Sequence, residues 1–295
     1  SGPASGARAT LRLRKDPLEH PPPRLLETGH GVTPLPPGRQ PEVDPGGEDL
    51  DAEDPIRWQN APMAWEKEIE VCRRVSRKAG KLALEHAARG LESEDKADDS
   101  PVTEADRACE ELIVSELGKA FPEDGFLGEE GVNDPGWSGR RWIIDPVDGT
   151  RDFLRGLPTW SNLIALEADG EVVLGVCNLV AQGNLYWAVR GEGAWVNKTP
   201  IRVSSVDRRD RAILTLTAFT DLAPTPLADR MVEYMAGYWA VRSMGGCQDA
   251  ILVASGRAEA WIELNASAWD LAPLMIVAEE AGCRFFNFDG AELPW

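Results

Sequence analysis

The stretch Trp142-Ile143-Ile144-Asp145-Pro146-Val147-Asp148-Gly149-Thr150 constrains this chain more than any other. An apolar strand runs directly into two acids, a glycine and a hydroxyl, and carboxylates at a strand end are candidate metal ligands. Asp-Gly alone is usually only a turn. Here Pro146 stiffens the chain and removes a donor, Asp145 and Asp148 can converge on one point, and the amides of Gly149 and Thr150 can face an anion at a helix start.

Around this segment the chain reads as layered helices and sheets. Residues 1–62 hold 12 of the 22 prolines and one aromatic, Trp58, so they are expected to form an unstructured tail, with the folded unit, residues 63–295, beginning at Met63. Trp65, Ile69, Cys72, Ala79 and Leu82 then recur at helical spacing. After a polar linker over 92–100, Thr103 and Asp106 form a capping box that opens a second helix bearing Cys109, Leu112, Ile113 and Leu117; two helices are expected before any sheet.

An antiparallel meander follows, with strands over 126–128, 141–144, 161–168, 172–179 and 184–190 and a hairpin at Asp169-Gly170. Beyond it lie strands over 212–217, 238–242 and 258–264, helices over 246–255 and 270–281, and a strand over 283–288.

Three further acids sit at element ends, each with an ordinary explanation. Glu129, beside Glu130, ends the short strand 126–128 and reads alone as a solvated loop. Asp270 reads as a helix N-cap, and Asp106 as a member of its capping box. They become informative beside what the chain lacks. His20 and His30 lie in the tail and His86 on the first helix, so neither a Ser-His-Asp triad nor a histidine phosphatase can be assembled. No cysteine is followed six positions later by arginine, there is no G-x-x-x-x-G-K-[ST] loop, and Asp145 and Asp148 lack the D-x-D spacing of a haloacid-dehalogenase nucleophile. Carboxylates without histidine or thiolate partners favour Mg²⁺, or Mn²⁺, over zinc.

A formal charge of −18 with no basic stripe argues against nucleic-acid polymers and anionic membranes as partners, while bound cations can still reverse the local sign for a small phosphate monoester. Five widely spaced cysteines with no C-x-x-C pair read as reduced thiols, and no long apolar run or secretory leader is visible, so a cytoplasmic location is expected.

Gly128-Glu129-Glu130, then Asp145-Pro146-Val147-Asp148-Gly149-Thr150, then Trp269-Asp270 followed by Glu279-Glu280-Ala281-Gly282, resemble in order and spacing the motifs of the inositol monophosphatase family, over about Met63 to the end. The resemblance implies a layered αβαβα sandwich of mixed α/β class and a homodimer. It implies that Glu129, Asp145 and the Val147 carbonyl hold one metal, that Asp145, Asp148 and Asp270 hold a second, and that two or three Mg²⁺ act. Thr150, hydrogen-bonded to Asp106, would orient the attacking water, and the amides of Gly149 and Thr150 would bind phosphoryl oxygens. Substrate contacts are implied at Gly245, Gly246, Cys247 and Glu263, against the ordinary reading that the glycines merely start a helix and Glu263 lies on a solvated strand face.

The segments 151–160 and 269–273 look closer to the histidinol-phosphate phosphatase branch, so histidinol phosphate and inositol monophosphate lead as substrates, ahead of sugar phosphates and nucleotide 3′-phosphates. The rival class is a non-catalytic metal- or phosphate-binding protein on the same scaffold. Members of the family continue past the position of Trp295 through a glycine-rich turn into a final strand and helix, so a C-terminally short domain is expected.

Overall fold

A long amphipathic helix, α1 (Glu66–Arg89), forms because Ile69, Cys72, Val75, Ala79 and Ala83 return to one buried face every three or four residues. The computed structural model describes residues 64–90, 93–95, 101–217, 219–225 and 228–286; the expected tail lies outside the described residues. Where a linker was expected before the second helix, β1 (Ser93–Asp95) pairs antiparallel with β2 (Pro101–Thr103), so a small ribbon separates the two helices. Its polar residues carry no strand signature, and the pairing supplies what propensity does not. The Thr103/Asp106 capping box is present and opens α2 (Glu104–Ala120), which buries Cys109, Ile113 and Leu117.

The chain then lays down β3 (Gly125–Gly128), β4 (Asn133–Asp134), β5 (Arg140–Asp148), the short α3 (Thr150–Leu154), β6 (Ser161–Ala168), β7 (Glu171–Leu179), β8 (Asn184–Val189), β9 (Gly193–Val196) and β10 (Thr199–Ile201). They form one sheet in the order β10-β9-β8-β7-β6-β5-β3-β4, a meander in which β3 runs parallel to β5. The β6–β7 hairpin turns at Asp169 and Gly170, both in the left-handed region (φ 53° and 81°), as a type I′ turn requires. Because this sheet is covered on both faces, β6 and β7 read as nearly continuous apolar runs rather than alternating ones.

Side-chain alternation divides the core. Trp142, Ile144, Ile164 and Leu166 pack with α1 and α2 on one face. Ile143, Leu163 and Ala165 face the opposite side.

The second half supplies β11 (Ile213–Leu216), α4 (Phe219–Leu222), α5 (Ala228–Ala236), β12 (Ala240–Arg242), α6 (Gly246–Ala254), β13 (Ala260–Ile262) and α7 (Ala268–Glu280). β12-β11-β13 form a separate, wholly parallel sheet. Helices α6 and α7 fill the space between the sheets, with Cys247, Ile251, Leu274 and Ile276 against the large one. Leu222 and Met231, from α4 and α5, cover the small sheet at Leu216 and Ile262. The five layers run helix, sheet, helix, sheet, helix, the expected αβαβα sandwich.

Several boundaries differ from expectation, β5 running on to Asp148 among them, and two differences fall in the last segment described. Helix α7 starts two residues early, at Ala268, because Ser267 caps it; Asp270 is therefore the third residue of the helix, completing a capping box, rather than the N-cap. The strand expected over 283–288 is not formed by residues 283–286, and 287–288 lie outside the described residues. The edge strands β4 and β10, and β9 beside β10, were not foreseen. All three are short and β4 and β10 are largely exposed, while in β9 Ala194 is buried and the half-buried Trp195 stacks on Trp187 (5.8 Å between ring centroids).

Helix α7 lies against β7 at Gly175, where an added Cβ would approach Ile276 Cγ2 to 2.4 Å and the Pro273 carbonyl oxygen to 2.8 Å. Gly175→Ala is therefore expected to cost about 1–3 kcal/mol, because backbone as well as side chain must move. A thermal melt should show the midpoint lowered by several degrees; an unchanged midpoint would mean that the helix slides freely on the sheet.

Candidate active site

The site begins where β5 stops being regular. Its pairing with β6 slips between Asp145 and Asp148, so a bulge interrupts the ladder and re-aims both carboxylates. Asp145 is 2% exposed, and its Oδ1 accepts the Val147 N–H at 3.0 Å, folding the side chain back over the bulge. Gly149 follows at φ 81°, a left-handed conformation that a side chain would strain, and swings the chain into α3. Thr150, the first residue of α3, sits with Oγ1 3.1 Å from Asp106 Oδ1 and 3.1 Å from the Val147 carbonyl oxygen. Its hydroxyl proton can go to either acceptor.

Asp106 keeps its ordinary place in the capping box and reaches Thr150 at the same time. Oδ2 accepts the Thr103 N–H at 2.8 Å and the Thr103 hydroxyl, while Oδ1 is left for Thr150. The carboxyl is fully buried, and that burial raises its pKa, with the hydrogen bonds from Thr103 and Thr150 opposing the rise.

Three further elements converge. Asp270, in the first turn of α7, accepts the Ser267 N–H at 2.6 Å. Asp148 Oδ2 accepts the Cys247 N–H at 3.0 Å from the first turn of α6. Glu129, just past β3, donates its backbone N–H to the Ile144 carbonyl at 3.1 Å, and its carboxylate meets that of Asp145. Asp145, Asp148 and Asp270 offer oxygens within 4.8 Å of one another; Glu129 is outside that trio but lines the same pocket.

The pocket, about 450 Å³, also takes in Val147, Gly149, Thr150, Arg151, Gly245, Gly246, Cys247 and Glu263. Of the residues first read as substrate contacts, Gly245 directs its N–H to Asp249 at 3.4 Å and Cys247 gives its N–H to Asp148. The Cys247 thiol is buried, 3.6 Å from the Thr159 carbonyl.

Burial is the main cause of the raised pKa values of Asp145 and Asp148, followed for Asp145 by repulsion from Glu129, Asp148 and Asp270. Asp270 is pushed up to about 7 by burial and by Asp148, Glu129 and Glu263, and Glu263 to about 7 by burial with Asp148 adding to it. Like charges held this close need a counter-charge, and among the described residues Arg151 is the one basic side chain lining the pocket. An all-oxygen donor set of carboxylates and a carbonyl, with no imidazole or thiolate in the cluster, fits a hard divalent cation.

Sequence reading missed Thr217, whose hydroxyl donates to Glu263, and also Ser243 and Asn265 on the pocket wall and the buried Asp249 behind Gly245. A signal existed for two of these, Thr217 and Ser243, and it is shared by Glu263, which the sequence reading did name. Thr217, Ser243 and Glu263 each follow the last residue of a strand in the parallel sheet, as Glu129 follows β3 and Asp145–Asp148 end β5. Ligands bind outside the carboxyl ends of parallel strands, so these positions share one cause.

The sequence profile of the inositol monophosphatase family matches residues 64–295. The chain is 41% identical over 226 residues to a histidinol-phosphatase of Chlorobaculum parvum, covering 76% of this chain and 87% of that protein. It is 40% identical over 212 residues to a histidinol-phosphatase of Mycobacterium tuberculosis, covering 70% and 82%. Among solved structures, the IMPase of Thermotoga maritima superposes with a TM-score of 0.71 at 32% identity, covering 77% of this chain and 88% of that one.

Proposed function

The chain belongs to the inositol monophosphatase family and is a phosphoric monoester hydrolase, and from that premise we propose that it hydrolyses histidinol phosphate in a Mg²⁺-dependent reaction. The observation that carries this reading is the meeting of Asp145, Asp148 and Asp270 beside the Thr150–Asp106 pair. The choice of ester is supported by the likeness to two histidinol-phosphatases at 40–41% identity.

Glu129, Asp145 and the Val147 carbonyl would hold one ion, and Asp145, Asp148 and Asp270 a second, with Asp145 shared. When bound, such ions make water acidic enough to be a nucleophile at neutral pH and offset the negative charge of the phosphoryl group. Thr150 Oγ1, with its proton directed to Asp106 Oδ1 or the Val147 oxygen, has a lone pair with which to accept from the attacking water and orient it. The raised pKa of Asp106 makes it a better proton acceptor at the end of that relay. The amides of Gly149 and Thr150 are assigned to phosphoryl oxygens, where charge builds in the transition state.

Glu263 and Thr217 are assigned to the alcohol portion of the ester. A buried carboxyl with a pKa near 7 ionises readily when an ammonium group arrives, which suits an amino alcohol. A reducing, cytoplasmic setting is supported by five unpaired thiols, four of them buried.

The test is a panel of histidinol phosphate, inositol 1-phosphate, a sugar phosphate and a nucleotide 3′-phosphate, compared by kcat/KM with Mg²⁺ and after chelation. Histidinol phosphate is expected to exceed the others by about tenfold or more, since a polar site discriminates against partners that leave its groups unpaired. Chelation should abolish turnover of every ester. Equal efficiency across the panel would remove the substrate assignment; binding without turnover would favour a non-catalytic phosphate-binding protein.

A further inference from the structure

We infer that Glu110 is a positioning residue for the metal site: its buried carboxylate holds the loop that presents Glu129. The inference rests on the reading of Glu129 as a metal ligand.

Glu110 lies on α2 one turn beyond Asp106, so the two acids share a helix face, and it is only 6% exposed. Its two oxygens are used separately: Oε2 accepts the Glu130 N–H at 2.9 Å and Oε1 the Val132 N–H at 3.1 Å. The Gly128 N–H closes the same loop onto the Val132 carbonyl at 2.8 Å. A Cβ built on Gly128 would fall 2.2 Å from Glu110 Oε2, so the carboxylate sits directly beneath the residue preceding Glu129, and only glycine leaves it room.

Glu129 is therefore gripped from both sides. Its own N–H is tied to the Ile144 carbonyl, next to Asp145, and the following amide is tied to Glu110. Two hydrogen bonds from separate amides to one carboxyl group fix the orientation of the loop as well as its place. Asp106 reaches Thr150 from the same helix. Helix α2 thus acts as a rigid bar that sets Glu129 and Thr150 at a fixed spacing across Asp145.

The experiment uses the full chain stripped of metal, with Mn²⁺ titrated and followed by electron paramagnetic resonance for the unaltered protein, Glu110→Gln and Glu129→Gln, alongside thermal melts and the Mg²⁺ dependence of phosphate release. Glutamine is isosteric but turns a donor toward one of the two amides. Glu110→Gln is expected to bind Mn²⁺ about tenfold or more weakly, as loss of a group that orients a metal ligand does. The Mg²⁺ concentration for half-maximal rate should rise by a similar factor, while kcat at saturating Mg²⁺ changes by less than about threefold. Should Glu110→Gln fail to fold, Glu110→Asp, which keeps the charge and draws both oxygens back by one methylene, carries the same expectation. A Mn²⁺ affinity within about twofold of the unaltered protein, at any melting temperature, would overturn the proposal. Unchanged Mn²⁺ binding by Glu129→Gln would instead remove the ligand assignment on which it stands, and the proposal with it.

Discussion

Replacing Asp145 with asparagine is expected to lower phosphate release by at least about 10³-fold, because it removes the carboxylate shared between both proposed ion positions. The fold should survive. The amide keeps the shape of the carboxyl and an oxygen to accept the Val147 N–H, and Asp145 contributes little to the apolar core. The same change has a second, less obvious consequence for stability. In metal-free buffer Asp145 is a buried carboxyl whose pKa is raised by burial and then by Glu129, Asp148 and Asp270.

A carboxyl with a native pKa above its unfolded value stabilises the fold only while it stays protonated, and that contribution is lost as pH rises through the native pKa. For Asp270 and Glu263 the window runs from about 4, the ordinary carboxylate value, up to about 7. Without metal the unaltered protein should therefore melt lower at pH 8 than at pH 6, and Asp145→Asn should melt at an equal or higher temperature than the unaltered chain at pH 8. Mg²⁺ should raise the midpoint of the unaltered protein more than that of the variant. Turnover retained by Asp145→Asn, or an identical Mg²⁺ response in both proteins, would sink the ligand assignment.

The second large effect is expected at Thr150. Thr150→Val keeps the β-branched shape and deletes Oγ1, the atom lying 3.1 Å from both Asp106 Oδ1 and the Val147 oxygen. If that hydroxyl orients the nucleophile, kcat should fall by about 10²–10⁴-fold with KM nearly unchanged, the pattern of an interaction made chiefly in the transition state. Thr150→Ser, which restores the oxygen, should recover most of the rate. A Thr150→Val enzyme that loses affinity but keeps its kcat would move Thr150 from the reaction to substrate binding.

Much of this site was legible because its residues cluster in short windows. The six residues Asp145–Thr150 place an apolar strand, a turn and a helix start in one line, and the capping box at Thr103–Asp106 announces α2 before any tertiary contact is considered. The rest was hidden by the independence of local signals. Asp270 looked like an N-cap because spacing alone does not show that Ser267 opens the helix first. Glu110 gave no sign at all: within α2 it is one acid among several, and its role comes from a loop about twenty residues later that closes over it. The β1–β2 ribbon was invisible for the same reason, its strand character coming from a partner and not from its own residues.

Periodicity and caps by themselves pointed to layered helices and sheets, and the order of acidic motifs carried the family resemblance, which in turn implied a set of candidate metal-binding acids. Only the tertiary structure decided that Asp148 meets the first turn of α6, that Asp106 both caps α2 and meets Thr150, and that Thr217, Ser243 and Glu263 share one wall. Local spacing sets which way a side chain leaves its own element. Which elements then face one another depends on how two sheets of different strand order pack across α6 and α7, a global balance of buried surface that no single window of sequence encodes.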